Sequence, residues 1–182
     1  MSTTKWVLDP THSEIQFKVK HLMISTVTGQ FNRFNATIET EEDDLSTAKI
    51  NFTADISSIS TNNEQRDSHL KAADFFDAEN HPQLVFESEK LEEINAEEYR
   101  LHGTLTMKGV SKDVILNVGF GGETQDPWGN TRTGFEVSGK INRKDFGINF
   151  GAVSETGGLL LGDEIRVLAN VEFVKHSELQ PA

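Results

Sequence analysis

Apolar and polar residues alternate along most of this 182-residue chain, and a period of two is typical of β-strands with one buried face. Ile15, Phe17 and Val19, for example, are separated by glutamine and lysine. The same alternation returns in six later stretches: 48–56, 84–88, 99–107, 114–120, 135–141 and 165–173. We count about eight strands, and because each has one apolar and one polar face, they predict an antiparallel sheet.

Two features of these strands favour a closed barrel over two packed sheets. The alternation slips by one residue at Asn32-Arg33, as a bend within one long strand would produce. Gly29, Gly103 and Gly139 fall at inward-facing positions, where the missing side chain allows sharp bending. We therefore predict a single domain over residues 1–182, folded as an all-β, up-and-down barrel of about eight antiparallel strands. At this size the interior is either filled by its own side chains or holds one small ligand.

The segment 61–82 departs from the strand pattern and has helical spacing instead. Thr61 and Glu64 fit a capping box, so we predict a short helical excursion near residues 62–77. Its last part carries the adjacent aromatics Phe75-Phe76, which a short helix cannot bury by itself. We expect this excursion to pack against one end of the barrel and to control access to the interior.

The composition is that of a globular protein with an acidic surface. Hydrophobic residues make up 36% of the chain, charged residues 25%, and the net charge is −12. Because the sequence shows no basic stripe, it excludes nucleic acid as a partner and predicts no stable insertion into a membrane. The lack of cysteine excludes disulfides, thiol chemistry and thiolate metal sites. No apolar signal segment is visible at the N-terminus, so we expect a cytoplasmic protein as given, or a periplasmic one if the chain is a mature form.

Three spaced motifs carry a family resemblance. They are Trp6-x-x-Asp9-x-x-His12-Ser13-x-Ile15-x-Phe17, Arg66-Asp67-x-His69-Leu70-x-x-x-Asp74-Phe75-Phe76 and Arg143-x-Asp145-Phe146-Gly147. Together with shorter motifs between them, they span nearly the whole chain. This motif pattern resembles that of the YceI-like polyisoprenoid-binding family. The resemblance implies a lipocalin-like barrel whose lumen holds one long apolar chain, such as a polyisoprenoid, a prenylated quinone or a fatty-acid derivative. Members of this family are often exported to the periplasm.

Most residues that we predict to bind the ligand are apolar side chains on the inward faces of the strands. These are Ile15, Phe17, Val19, Phe31, Phe34, Ile50, Phe52, Leu105, Phe135, Val137 and Val167, joined by Phe86 and Phe146 from the family pattern and by Phe75 and Phe76 from the excursion. No inward position is charged, so the lumen suits hydrocarbon and rejects ions. His21, Arg66 and His69 are candidates for a polar headgroup at the barrel mouth. The alternative is that the apolar residues simply pack against each other.

Catalysis is the competing hypothesis, in the form of a hydrolase or isomerase acting on a lipid held in the same cavity. The sequence contains no pair of histidines with zinc-protease spacing, no Gly-x-Ser-x-Gly elbow and no phosphate-binding loop. We therefore expect a binding protein without catalytic residues, a metal site or a cofactor. A homodimer is one state that it could adopt, and the sequence does not determine the oligomeric state.

Overall fold

The computed structural model describes residues 3–22, 24–148 and 161–177. Within these residues the chain forms eleven strand segments and one α-helix. The strands are β1 Thr3–Leu8, β2 Glu14–His21, β3 Ser25–Phe31, β4 Phe34–Glu41, β5 Asp44–Asp55, β6 Ile59–Ser60, β7 Gln83–Glu93, β8 Glu98–Met107, β9 Val110–Gln125, β10 Thr131–Asn142 and β11 Leu161–Ser177, and the helix is α1 Glu64–Leu70. The Gly-rich sequence from Phe146 to Gly162 predicts an irregular connection between the last two strands, and its residues 149–160 lie outside the described part of the chain.

The strands close into an antiparallel barrel. A continuous ring of pairings runs β1-β4-β5-β7-β8-β9-β10-β11 and returns to β1. β2 continues β1 along the same side of β11, and β3 pairs with β2 just as β4 pairs with β1. The barrel therefore has eight strands in sequence order, two of them broken, which confirms the predicted up-and-down topology.

The break between β3 and β4 lies where the alternation slips. The Asn32 amide donates to the carbonyl oxygen of Ser58 (3.2 Å), and the Arg33 amide donates to the Ser58 hydroxyl (3.0 Å). These bonds replace ladder hydrogen bonds, so β3 does not pair with β5. Its edge away from β2 pairs with the two-residue β6. The excursion that contains α1 follows β6 directly and so begins beside this bend.

The two ends of the barrel differ in what joins the strands. The mouth end carries the β2–β3 turn, the β8–β9 turn, the excursion between β6 and β7, and the segment that follows β10. The far end carries the β4–β5, β7–β8 and β9–β10 connections. Lys108-Gly109, with φ angles of +52° and +75°, forms a tight turn between β8 and β9, since positive φ at both central residues is typical of a type I′ hairpin.

The helical excursion is shorter than predicted. α1 covers seven residues, and turns form most of the segment from Lys71 to Asn80. The capping-box prediction is wrong, because the N-cap is Asn63, whose side chain accepts from the Arg66 amide at 3.0 Å. Thr61 instead donates through its amide and its hydroxyl to one carboxylate oxygen of Asp67, at 2.8 and 2.6 Å.

At three glycines, an inward side chain of a neighbouring strand comes too close to the backbone to leave room for a Cβ atom. A Cβ at Gly29 would come within 2.2 Å of the Phe17 ring, and one at Gly139 within 2.5 Å of Leu116. At Gly103 it would come within 2.4 Å of the Phe86 ring and 2.5 Å of the Glu87 carbonyl oxygen. The inward placement predicted for these glycines is therefore confirmed.

We expect Gly103→Ala to destabilise the barrel, because a backbone oxygen and a buried ring both stand in the way of the new methyl group. Overpacking of this kind costs about 1–3 kcal/mol in the free energy of unfolding. Gly119→Ala on the adjacent strand is the matched control, since its Cβ would meet nothing closer than 3.8 Å. Urea unfolding of both variants checks this, and equal midpoints would contradict it.

Candidate ligand-binding cavity

A cavity of about 510 Å³ occupies the interior of the barrel. Its deep part is lined by apolar side chains near the far end, among them Leu45, Leu91 and Phe173. It reaches Leu161 at the mouth end, twelve residues before Phe173 on β11. That separation is roughly 40 Å along the strand, or roughly 30 Å along the axis of a barrel with the usual strand tilt. The interior is therefore long and narrow, and the side chains of the described residues do not fill it.

Sixteen of the eighteen residues that the sequence predicts to bind ligand line this cavity. They are Ile15, Phe17, Val19, His21, Phe31, Ile50, Phe52, Arg66, His69, Phe75, Phe76, Phe86, Leu105, Phe135, Val137 and Val167. Phe34 and Phe146 do not line it. The half-buried Phe34 follows the break between β3 and β4, and its ring lies 6.4 Å from that of Phe52. Phe146 belongs to a short 3₁₀ turn and is 1% exposed, packed within the core instead of the cavity wall.

The sequence prediction omitted many other lining residues. Most continue the same inward faces: Ala36, Ile38, Ala48, Leu84, Leu91, Leu101, Met107, Val114, Leu116, Val118, Ile141, Ile165, Ala169, Val171 and Phe173. The alternation of apolar and polar residues along each strand places these residues on the inward face and could have identified them. Arg143 and Ile148 lie in the segment after β10, where no alternation points inward.

Polar lining residues are few, and several belong to the mouth end. They are Gln16, His21, Thr61, Arg66, His69 and Arg143, with no aspartate or glutamate among the lining residues of the described chain. The Arg66 guanidinium is held by Thr61, whose hydroxyl and carbonyl oxygens accept from Nε and Nη2, both at 2.7 Å. A ligand headgroup at the mouth would meet hydrogen-bond donors and positive charge, while its chain meets hydrocarbon.

His69 and Phe75 link α1 to the turns that follow it. His69 Nε2 lies 2.7 Å from a carboxylate oxygen of Asp74, and this hydrogen bond lowers the pKa of the Asp74 carboxyl. The His69 ring also meets the ring of the buried Phe75 edge-on at 4.9 Å. Phe76 meets Phe31 of the barrel wall at 6.2 Å in a T-shaped contact. The excursion is thus docked on the barrel through aromatic rings that also line the cavity.

Arg143 anchors the connection between β10 and β11 from inside the protein. It is 2% exposed, and its guanidinium donates to the carbonyl oxygens of Gly162 (2.9 Å), Ile148 (2.9 Å) and Leu161 (3.1 Å). Asp163 supplies a carboxylate oxygen 3.5 Å from Nη2. Burial lowers the pKa of the Arg143 guanidinium. Because most of its donors already serve backbone carbonyls, this arginine shapes the mouth instead of reaching for a ligand.

In the part of the chain that the structure describes, one group of side chains could offer three metal ligands within 4.8 Å of one another: Asp9, His12 and Glu172. Its centre is taken by the guanidinium of Arg132, whose Nη1 lies 2.8 Å from both Asp9 Oδ2 and Glu172 Oε2. These are the oxygens that a metal ion would need, so the group forms an ion-pair network. It does not line the cavity.

The contact between Phe76 and Phe31 allows a test of the excursion as a lid. We expect Phe76→Ala to raise both the association and the dissociation rate of a fluorescent fatty acid, since the ring that narrows the mouth is removed. Glu79→Ala, an exposed change in the same segment, should leave both rates unchanged. Stopped-flow fluorescence measures the rates, and identical traces for wild type and Phe76→Ala would refute the lid.

No helix within the described residues is both long and apolar enough to cross a membrane.

Comparison with known proteins places this barrel in a family. The YceI-like domain profile matches residues 6–173. A UPF0312 protein of Staphylococcus epidermidis is 43% identical over 171 residues, covering 93% of this chain and 97% of its own. The crystal structure of a Campylobacter jejuni YceI protein superposes with a TM-score of 0.71 at 35% identity, over 88% of this chain and 90% of its own.

A more distant structure shows the same fold. A polyisoprenoid-binding domain from Saccharophagus degradans superposes with a TM-score of 0.67 over 94% of this chain and 98% of its own, at 14% identity. The eight-stranded barrel, the profile match over nearly the whole chain and the staphylococcal relative agree with the motif resemblance. The chain belongs to the YceI-like family.

Proposed function

We propose that this protein binds one long-chain apolar lipid inside its barrel, for storage or transport. The ligand classes are a polyisoprenoid, a prenylated quinone or a fatty-acid derivative. The observation that carries the proposal is the unfilled cavity of about 510 Å³, which is apolar along its depth and polar near its mouth. Its volume falls within the range of roughly 300–1,000 Å³ that is typical of small-molecule sites.

The energetics support a hydrocarbon ligand. Each buried methylene contributes about 0.8 kcal/mol, so a chain of about sixteen carbons offers on the order of 12 kcal/mol before the cost of ordering it. No carboxylate lines the described cavity, so an apolar chain leaves no charge without a partner there. Arg66, His69 and His21 are placed to meet a headgroup that accepts hydrogen bonds.

The polar groups at the mouth favour binding over catalysis. Thr61 is the one hydroxyl among the described lining residues, and its oxygen already bonds Asp67 at 2.6 Å and Arg66 at 2.7 Å. His69 pairs with Asp74, but among the described lining residues no serine stands beside it to serve as a nucleophile. The family resemblance points the same way, since a neighbour with this fold is described as a polyisoprenoid-binding domain.

Mass spectrometry of an organic extract tests the proposal. Protein purified without detergent should release a long-chain lipid or quinone in a one-to-one ratio with the polypeptide. An extract with nothing above the solvent blank, taken from protein that is fully folded by circular dichroism, would overturn the binding function.

A further inference from the structure

The turn between β2 and β3 presents apolar side chains to solvent beside the cavity mouth. Ile24 is 83% exposed and Leu22 is 39% exposed, whereas His21, the last residue of β2, lines the cavity. The Ile24 amide donates to the His21 carbonyl oxygen at 3.2 Å, and Leu22 has a φ of +52°. Two apolar side chains held outward at the entrance of a lipid-sized cavity indicate a surface that contacts something apolar.

Strand pairing gathers a row of basic residues on the outer wall below this turn. Lys140 of β10 lies opposite Arg166 of β11, and Arg166 lies opposite Lys18 of β2. Lys20 follows two residues along the same face of β2 and is exposed. We call these four residues the basic row. The sequence prediction of no basic stripe was wrong, because residues far apart in the chain are brought together by the sheet.

The basic row is costly for the isolated protein. Residues directly opposite on neighbouring strands lie about 5 Å apart at Cβ, and like charges in such pairs are destabilising. One acidic neighbour compensates in part, since Glu164 lies 3.7 Å from the Lys140 ammonium. A row of three paired like charges is consistent with a partner that supplies negative charge.

The far end of the barrel has the opposite electrostatic character. The β4–β5 and β7–β8 connections there carry eight acidic residues: Glu41, Glu42, Asp43, Asp44, Glu92, Glu93, Glu97 and Glu98. With a net charge of −12, the protein as a whole is repelled by an anionic surface. An anionic surface therefore repels the far end. The excursion at the mouth end is also acidic, with five carboxylates (Glu64, Asp67, Asp74, Asp77 and Glu79), so the part of the mouth end that suits such a surface is the side formed by the β2–β3 turn and the basic row.

We propose that the mouth end docks transiently on an anionic lipid surface, with Leu22 and Ile24 in the interface and the basic row against the headgroups. An apolar tip flanked by lysine and arginine is the arrangement that suits a lipid interface, whereas an acidic protein would match only the charges. The inference deepens the proposed function, because docking would open the cavity directly onto the membrane that holds the cargo. Docking of this kind inserts side chains and crosses no bilayer.

Vesicle flotation tests the docking. Wild-type protein should float with phosphatidylcholine vesicles that contain phosphatidylglycerol, should float far less with phosphatidylcholine alone, and should lose binding at high salt. Each basic residue near an anionic surface changes the affinity about five-fold, so the double variant Lys18→Gln/Arg166→Gln should bind about 25-fold more weakly. Ile24→Ser should weaken binding about five-fold through lost apolar burial.

Matched variants elsewhere on the barrel serve as controls. Lys49→Gln/Arg100→Gln removes two exposed positive charges outside the basic row, and Ile94→Ser removes a 45% exposed side chain from the far end. Both should bind vesicles as wild type does. Absence of wild-type flotation, or equal losses in the control variants, would overturn the docking.

Two further readouts separate the outcomes. Binding to polyglutamate but not to vesicles would mean that the partner is an acidic protein, and this result would also overturn the docking. Lipid extracted from the same preparations reports on the proposed function separately. Bound lipid without vesicle binding refutes only the docking, whereas vesicle binding without lipid refutes only the cavity function.

Discussion

Val118→Glu is expected to empty the cavity and to unfold the barrel at a much lower urea concentration than wild type, whereas Asn117→Glu should do neither. Val118 is 6% exposed and lines the cavity between Tyr99 and Val137 of the neighbouring strands. A carboxylate there has no partner, and burying it costs several kcal/mol in the free energy of unfolding. It would also face the hydrocarbon chain of the ligand, so bound lipid should be lost.

The matched change lies one residue away on the same strand. Asn117 is exposed and lies directly opposite Arg100 on β8. A glutamate at position 117 therefore stays in water beside a positive charge. Comparing the two variants holds the position along β9 constant and changes only the face of the sheet.

The destabilisation should also depend on pH. Burial raises the pKa of the new carboxyl in the folded state above its unfolded value of about 4.3, so the folded protein binds more protons than the unfolded chain. The free energy of unfolding of Val118→Glu therefore falls as pH rises from the unfolded pKa of about 4.3 to the raised folded pKa, and it recovers in part on acidification. Urea midpoints at several pH values, with lipid content by mass spectrometry, check this. Retention of lipid and a wild-type midpoint would contradict the inward face drawn for β9.

Alternation predicted the barrel because a strand with one apolar face leaves few arrangements open. Once Ile15, Phe17 and Val19 share a face, a one-residue shift would expose all three, so the register is strongly determined. The slip at Asn32-Arg33 also has a local cause, since the Ser58 hydroxyl and carbonyl group replace the missing ladder bonds. Local pattern and tertiary structure agree along these strands.

Whether the interior is filled or hollow does not follow from local pattern. Cavity volume depends on the strand number and stagger of the closed barrel, set by pairings such as that of β1 with β11, far apart in the chain. The same sixteen lining residues that were predicted from the sequence would serve equally well as a packed core. What distinguishes the two outcomes is the radius of the barrel.

The helix boundary and the basic row were missed for related reasons. Thr61 and Asn63 are both good caps, and the choice between them depends on Asp67, which bonds Thr61 and leaves Asn63 to cap α1. The basic row depends on which strands become neighbours, since Lys18 and Arg166 are 148 positions apart in the sequence yet directly opposite in the sheet. The cap is set by a side-chain bond six residues along the chain, which the capping-box pattern does not include, and the basic row is set by strand pairing.

Arg132 ties the β9–β10 hairpin to β11 and to the segment that follows β1. Its Nε lies 2.8 Å from an Asp126 oxygen, and its Nη1 lies 2.8 Å from oxygens of Asp9 and Glu172. The hydrogen bond from Arg132 lowers the pKa of Asp126 to about 2. Hydrogen bonds from the Thr11 hydroxyl and from Arg132 likewise hold the pKa of Asp9 well below its usual range.

Arg132→Met should lower the melting temperature of the protein at neutral pH, because three carboxylates lose the cation that they share. Asp126 and Asp9 have lower pKa values in the folded than in the unfolded state, so their stabilising contribution is present above the unfolded pKa of about 3.8. It is lost as pH falls toward the folded pKa, which for Asp126 is about 2. The difference in melting temperature between wild type and Arg132→Met should therefore be largest between about pH 5 and pH 7 and should shrink on acidification.

Two further variants determine whether this difference belongs to the network. Arg100→Met removes an exposed arginine from β8 and should show a smaller loss with no such pH dependence, because Arg100 lies outside the network. Asp126→Asn in the Arg132→Met background should add little, since the carboxylate has already lost its main partner. Calorimetric scans from about pH 2 to pH 7 follow the difference from its full size at neutral pH down to the folded pKa of Asp126, which is about 2. A melting-temperature difference that stays constant across this window would mean that Arg132 stabilises the hairpin by packing of its aliphatic stem and not through Asp9 and Asp126.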